Sequence, residues 1–404
     1  MIPAIARKHD LIIYYQCALA IAAVAIFFSD ADLYFFRSGQ SPAPINIIFL
    51  FGGLSIPLLF SIFNRIKYFP SAFIVWVVGY ITVSLLYFLI FLSSDVGYQE
   101  LRLRVLSAIF IFIMLLIFSK YHVVQVWARY AILFVGALAV LNNIYELLNP
   151  LIFSGLNDTG RPAGFYVDPN RSGCALVLSM IFSTEILPQK YRPYLISFIG
   201  LGILLTFSRG AILGWILVTL IFIKKRVISK HQIVYWLIAV GVLVVGLGFL
   251  SSEFVNINQL PYGIRERLEW FENPTGSEHS ADSRMDILIA GWQLFLQSPL
   301  WGNGIASTIE WSFGISTHNM YLFYMTDHGF LGILILPLLV YAVTRNSRGE
   351  SQYIALAFAT FIILWGIFSH TVIEDRFILL SFALMATLSV TSQQEEKYRL
   401  GHNV

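Results

Sequence analysis

His318 stands where a long polar segment gives way to an apolar run, in Ile315-Ser316-Thr317-His318-Asn319-Met320-Tyr321. A neutral imidazole at such a boundary can take a proton from a hydroxyl near neutral pH, which is what general-base catalysis requires. A lone histidine at a helix entrance is more often a cap or an interfacial residue. Asn319 beside it both donates and accepts hydrogen bonds, so it can hold an imidazole or a hydroxyl. Arginine is the second chemical theme: Arg37, Arg102, Arg104, Arg161, Arg171, Arg209, Arg265, Arg267, Arg284 and Arg376 fall on one side of the chain's apolar runs, with no lysine among them. A guanidinium fork binds phosphate oxygens in pairs and keeps its charge in a partly dry site, whereas ammonium is a more strongly hydrated point charge. The competing reading is that lysine is kept off that side by topology and that these arginines pair with Asp or Glu. Arg209, in Thr206-Phe207-Ser208-Arg209-Gly210, lies between two short apolar runs and must stay at an interface or line a polar cavity. Asp327 and His328 lie deeper, where ionisable groups are functional or paired.

Membrane helices must position these groups. The chain has 57% hydrophobic and 12% charged residues, against roughly 25% charged in a soluble domain. Apolar stretches suited to roughly 30 Å of hydrocarbon fall at about 11–28, 45–63, 71–91, 105–119, 126–147, 171–187, 194–207, 210–223, 232–250, 319–343, 352–370 and 377–390. They predict an all-α, polytopic integral membrane protein with about 12 transmembrane helices. Residues 1–250 would hold nine spans, 251–318 a large loop with amphipathic helices, and 319–404 three spans and a tail. Lys8, Lys67, Lys120, Lys190, Lys224, Lys225, Lys230 and Lys397 all fall at the termini or on even-numbered loops, which makes both termini cytoplasmic by the positive-inside rule.

Two loops on the opposite side are long. The run Gly160-Arg161-Pro162-Ala163-Gly164-Phe165-Tyr166-Val167-Asp168-Pro169-Asn170 has the Gly and Pro spacing of a fixed turn. In the second loop, Met285, Leu288, Ile289, Trp292, Phe295 and Leu296 predict an amphipathic helix capped at Asp282, lying at the membrane surface or against the bundle. Ser298-Pro299-Leu300-Trp301-Gly302-Asn303-Gly304 then turns the chain back. Gly329 and Gly332 read as sites of close helix packing. Glu146 and Glu185, near span ends, read as reaching water. His370, Glu374, Asp375 and Arg376 form a short acid-base loop, either a local salt-bridge cluster or part of a site.

Cys17 and Cys174 sit in apolar runs and indicate neither a disulfide nor a thiolate site. The sequence carries no P-loop and no dinucleotide fingerprint, and its outer His and carboxylate residues lack metal-ligand spacing. The expectation is chemistry without a metal or cofactor, with no nucleic acid partner. Fixed arginines would stabilise a pyrophosphate leaving group as its charge develops.

His318-Asn319, nine residues, Gly329, two residues and Gly332 resemble the O-antigen ligases, within the wider O-antigen ligase and polymerase superfamily. The family pattern is His, then Asn, Ser or Gln, nine variable positions, Gly, two positions and Gly, Thr or Tyr. Arg161 with Gly164-Phe165 and Pro169-Asn170, the Ser208-Arg209-Gly210 turn, Arg284 and the Pro299-to-Gly304 return are also similar to superfamily features, so the resemblance spans roughly 125–335. It implies a glycosyltransferase of the bacterial inner membrane that moves O-antigen polysaccharide from undecaprenyl pyrophosphate to a sugar hydroxyl of lipid A–core at the periplasmic face, without metal or ATP and with inversion. It further implies that His318 activates the acceptor hydroxyl. Arg161, Arg209, Arg265 and Arg284 are candidates to hold the diphosphate, with Asn319, Asn170 and Asp375 in support. An O-antigen polymerase, which shares the donor, is the nearest alternative. A lipid-linked-sugar transporter is the alternative of another class, although such folds place charge near the bilayer midplane and show two similar halves.

Overall fold

The computed structural model describes residues 2–63, 69–91, 94–149, 160–229, 279–311 and 316–401, with a few isolated positions between them. Helix α1 (Ile2–Ala23) runs on into a π turn (Val24–Phe28) and stops at Asp30, whose backbone is left-handed at φ 60°. A short α2 (Ala31–Arg37) follows, then α3 (Pro44–Phe63), with proline at its first position, and α4 (Ser71–Ile90). Helix α5 (Asp95–Phe118) starts from Ser94, whose hydroxyl accepts from the Val96 and Gly97 amides, and leads to α6 (His122–Leu148). Asp168 caps α7 (Pro169–Ser183) in the same way, by accepting from the Asn170 and Arg171 amides. After it come α8 (Arg192–Leu205), α9 (Arg209–Lys224), α10 (His279–Gln297), α11 (Met320–His328), α12 (Ile335–Thr344), α13 (Ser351–Phe368) and α14 (Arg376–Gly401).

The architecture is all-α and polytopic, but the expectation of about 12 spans is wrong. Among the described residues, seven helices are long and apolar enough to cross a membrane: Leu11–Phe28, Ser71–Ile90, Asp95–Phe118, His122–Leu148, Met320–Thr344, Ser351–Phe368 and Arg376–Glu396. Three of the others fail on length. Helices α7, α8 and α9 have 15, 14 and 16 residues, or roughly 21–24 Å at the α-helical rise against roughly 30 Å of hydrocarbon. Helix α7 is also enclosed by protein: nearly every one of its residues is buried, including Leu176, Leu178, Ile181 and Phe182. In α3 the apolar stretch over the described side chains is Pro44–Leu59. The expected span 232–250 lies outside the described residues apart from isolated positions.

The span Met320–Thr344 is broken. Helix α11 stops at Gly329 (φ +65°), a 3-10 segment covers Gly329–Leu334, and α12 resumes at Ile335. A β-carbon on Gly329 would sit 2.4 Å from the Leu300 carbonyl oxygen, so the glycine stops a helix and admits a neighbouring backbone, rather than serving helix-to-helix packing. The Pro299-to-Gly304 return supplies that backbone: Asn303 N donates to Thr326 O at 2.8 Å, and Phe330 N to Pro299 O at 2.8 Å. These bonds satisfy polar groups released by the break, as an irregular backbone at membrane depth must.

The amphipathic helix of the long loop begins at His279, so Asp282 lies inside it and does not cap it. Its apolar stripe is divided. Phe295 is buried with Leu322 and Met325 of α11, while Met285, Ile289, Trp292 and Leu296 remain about half exposed.

Asp327, two residues before the break, receives Arg104 of α5. The guanidinium donates to Asp327 Oδ2 at 2.6 Å, to Glu100 Oε1 at 2.9 Å, to His328 Nε2 at 3.0 Å and to Ser84 Oγ at 3.3 Å. Ser307, in the segment after the return, donates its hydroxyl to Asp327 Oδ1 at 2.9 Å. Both charges are fully buried, so removing one partner strands the other in a low dielectric. Arg104→Gln or Asp327→Asn is expected to cost roughly 3–5 kcal/mol, with the double variant well short of the sum. Thermal melting of the detergent-solubilised variants checks this, and additive losses would mean that the two groups do not interact.

Candidate functional site

One end of the bundle collects the turns between α1 and α2, α6 and α7, α8 and α9, and α13 and α14, together with the start of α11. The loop before α7 is built onto α6. Glu146 does not reach water: its carboxylate accepts from the Ala163 and Gly164 amides, both at 2.7 Å. Tyr166 donates its hydroxyl to Phe28 O at 2.6 Å, which fixes the other flank of the turn to the end of α1. Arg161 is thereby held at 5% exposure, with its Nη1 donating to the carbonyl of Phe207 at 3.3 Å.

That carbonyl belongs to the α8–α9 turn, where Phe207 adopts φ 51°. A left-handed backbone at a bulky residue is strained, and such strain collects at functional sites. Ser208 follows, its hydroxyl donating to Asn170 Oδ1 at 2.9 Å, and Arg209 opens α9, half-buried. Arg161, Asn170 and the Ser208-Arg209 turn therefore form one assembly. A β-carbon on Gly210 would lie 3.0 Å from the Phe368 ring, which seats the start of α9 against the end of α13, just before His370.

His318 meets His370 across that loop, with ring centroids 5.9 Å apart and planes at 62°. Phe323 of α11 backs His370 at 5.8 Å. Burial, aided by the charge His318 can carry, pushes His370 down to about 4, so His370 is neutral near neutral pH. Asn319 caps α11, its Oδ1 accepting from the Leu322 amide at 3.1 Å, so its amide oxygen orients the helix start beside His318.

Asp375 takes a role that spacing does not reveal. It pairs with Arg171 of α7 at 2.7 Å, and Arg171 also holds Asp30 at 2.7 Å. Burial opposes the Arg171 charge, but Asp30 and Asp375 outweigh it and raise its pKa further. Burial likewise raises the Asp375 carboxyl, against the pull of Arg171. Arg376 pairs with Asp32 at 2.5 Å, and burial, reinforced by Asp30, lifts Asp32 to about 6 in spite of Arg376. The acid-base run 370–376 is thus a set of long-range ties, not a local salt-bridge cluster. Of the other expected residues, Arg265 and the side chain of Arg284 lie outside the described residues. Asp30, Asp32 and Arg171 were missed as site-forming residues, and their only sequence signal is charge at the end of an apolar run.

Fold and site together define an all-α polytopic membrane protein with charged and imidazole groups gathered at one end of its bundle. The family model of the O-antigen ligases matches residues 194–337, little more than a third of the 404-residue chain. That segment contains Arg209, Arg265, Arg284, His318 and Asn319, but not Arg161, Asn170 or Asp375. The match supports a role in handling O-antigen or other lipid-linked sugars and an activity of the glycosyltransferase kind. No curated protein matches the chain.

The His370 shift has a definite sign. Between its ordinary value of 6.5 and the folded value of about 4, only the unfolded chain takes up the proton. The contribution of neutral His370 to stability is therefore complete above pH 6.5 and is lost as the pH falls towards about 4. In melts across that range, His370→Asn should remove this part of the pH dependence, and an unchanged profile would place the imidazole in water.

Proposed function

We propose that this protein transfers a saccharide chain from a polyprenyl pyrophosphate to a sugar hydroxyl of a second lipid, as an O-antigen ligase acting on undecaprenyl-pyrophosphate-linked O-antigen and lipid A–core. The observation that carries the reading is the placement of His318, inside the segment matched to that family, at the bundle end that also holds the Arg161, Asn170 and Arg209 assembly.

The acceptor hydroxyl attacks the anomeric carbon of the donor's first sugar, opposite the pyrophosphate. Its oxygen gains the bond to carbon, its proton passes to the His318 imidazole, and the bond from carbon to pyrophosphate oxygen breaks with its electron pair on the leaving group. Attack from the far side inverts the anomeric centre. The developing charge on the pyrophosphate needs donors already in place, because reorienting water around it costs free energy at the moment of reaction. Arg161 and Arg209 are the described candidates, with Arg265 and Arg284 proposed from sequence to join them. Neutral His370 beside His318 lets the second imidazole become charged without like-charge repulsion.

The reading also assigns orientation: the His318 end faces the periplasm, in the inner membrane. In transfer assays with purified lipid-linked donor and lipid A–core, His318→Ala is expected to lose at least about a hundredfold in rate, the lower end of what a positioned base contributes. Arg209→Lys should retain less activity than charge alone predicts, since an ammonium lacks the fork. A wild-type rate for His318→Ala would remove the histidine from the mechanism. Product linked to a lipid-borne repeat unit, and not to lipid A–core, would reassign the acceptor.

A further inference from the structure

A cleft of about 410 Å³ opens at the same end of the bundle, between the starts of α3, α5 and α14. It includes neither His318 nor the Arg161 and Arg209 assembly. Along α5 it is lined by Gln99, Arg102, Leu103, Leu106, Ser107 and Phe110, a single stripe at helical spacing. The stripe is polar in its first turn and mostly apolar below, over roughly 16 Å of helix axis. Ile45 and Ile48 of α3 and Leu379 of α14 complete the apolar floor, while Glu374 and Arg376 join Arg102 at the polar mouth.

Arg102 is exposed, and among the described residues neither a carboxylate nor a hydrogen-bond acceptor partners it. Arg376 is shared with Asp32 and, at 3.9 Å, with Asp30. Glu374 also lines the mouth, and burial, with Glu100 and Asp375 nearby, raises its carboxyl well above the usual carboxylate range. An arginine at the border of hydrocarbon is stabilised by a phosphate oxygen, and an apolar slot directly beneath it excludes a fully hydrated ligand.

We propose that this cleft binds a phosphate-bearing anionic lipid from the leaflet that borders the His318 end, its phosphate on Arg102 and the head of one chain lying over Leu103, Leu106 and Ile48. The volume holds a phosphate and the first part of a chain. The remainder runs along the outer faces of α3 and α5, where Phe49, Leu50 and Leu103 are about half exposed. The loop 369–375 links this cleft to the proposed catalytic histidine, presenting His370 to His318 and Glu374 to the lipid site. The proposal does not rest on the transferase reading.

The full chain is placed in nanodiscs of phosphatidylcholine with added phosphatidylglycerol, and the lipids retained on release are counted by native mass spectrometry. Wild type is expected to retain phosphatidylglycerol in preference, and Arg102→Gln to reduce that preference about fivefold, the worth of one basic side chain against an anionic membrane lipid. Arg102→Lys should keep most of it. Leu106→Trp, which fills the slot and leaves the charge, should abolish it. His318→Ala should retain the lipid like wild type, so a failure of the transferase reading leaves this result intact. Equal retention by wild type and Arg102→Gln, or displacement of the lipid by inorganic phosphate, would overturn the proposal.

Discussion

A guanidinium buried at membrane depth has to be neutralised by protein, and the way Arg104 is neutralised organises much of this molecule. Glu100, one turn before it on the same helix, takes the Nε side, and Asp327 takes the fork from the opposite helix. The second contact ties α5 to the place where the span Met320–Thr344 breaks, and Ser307 draws the chain after the 299–304 return onto the same carboxylate. The broken helix, the return that satisfies its backbone and the start of α11 are thus arranged around one ion pair. His318 is two residues before that start. A pair of apolar side chains would fill the same space without this directional requirement, so the ionic arrangement specifies the geometry more than it adds stability.

The arginines at the His318 end divide by what meets them. Arg171 and Arg376 are held by Asp30, Asp32 and Asp375, and these pairs lash the end of α1, the start of α7 and the start of α14 together. For them, as for Arg104, the reading of arginine paired with acid holds. Arg161 donates to a main-chain carbonyl, and Arg209 opens a helix at a strained turn. Arg102 differs again, standing exposed over an apolar cleft. Sorting these groups required their partners, which come from helices far apart in the chain.

Hydropathy overcounts spans here for a physical reason. An apolar run shows that water is excluded, but lipid and protein exclude it equally well. Helices α7, α8 and α9 are as apolar as spans yet short, and they pack closely, Gly173, Gly200 and Gly214 letting Ala211, Trp215 and Phe361 approach. Only length separates such helices from spans, and the break points are set by caps and turns at Asp168, Tyr191 and Ser208.

From its residues alone the chain could be read as an all-α membrane protein, because apolar composition at helical lengths leaves few other structures a bilayer tolerates. The turn at 160–170 and the return at 299–304 were also legible, through Gly and Pro positions. The pairings were not. That Asp327 meets Arg104, Asp375 meets Arg171 and His318 meets His370 depends on which helices pack together, and sequence separation carries almost no information on that. Charge in an apolar context announces that a partner is needed, and the tertiary structure alone supplies it.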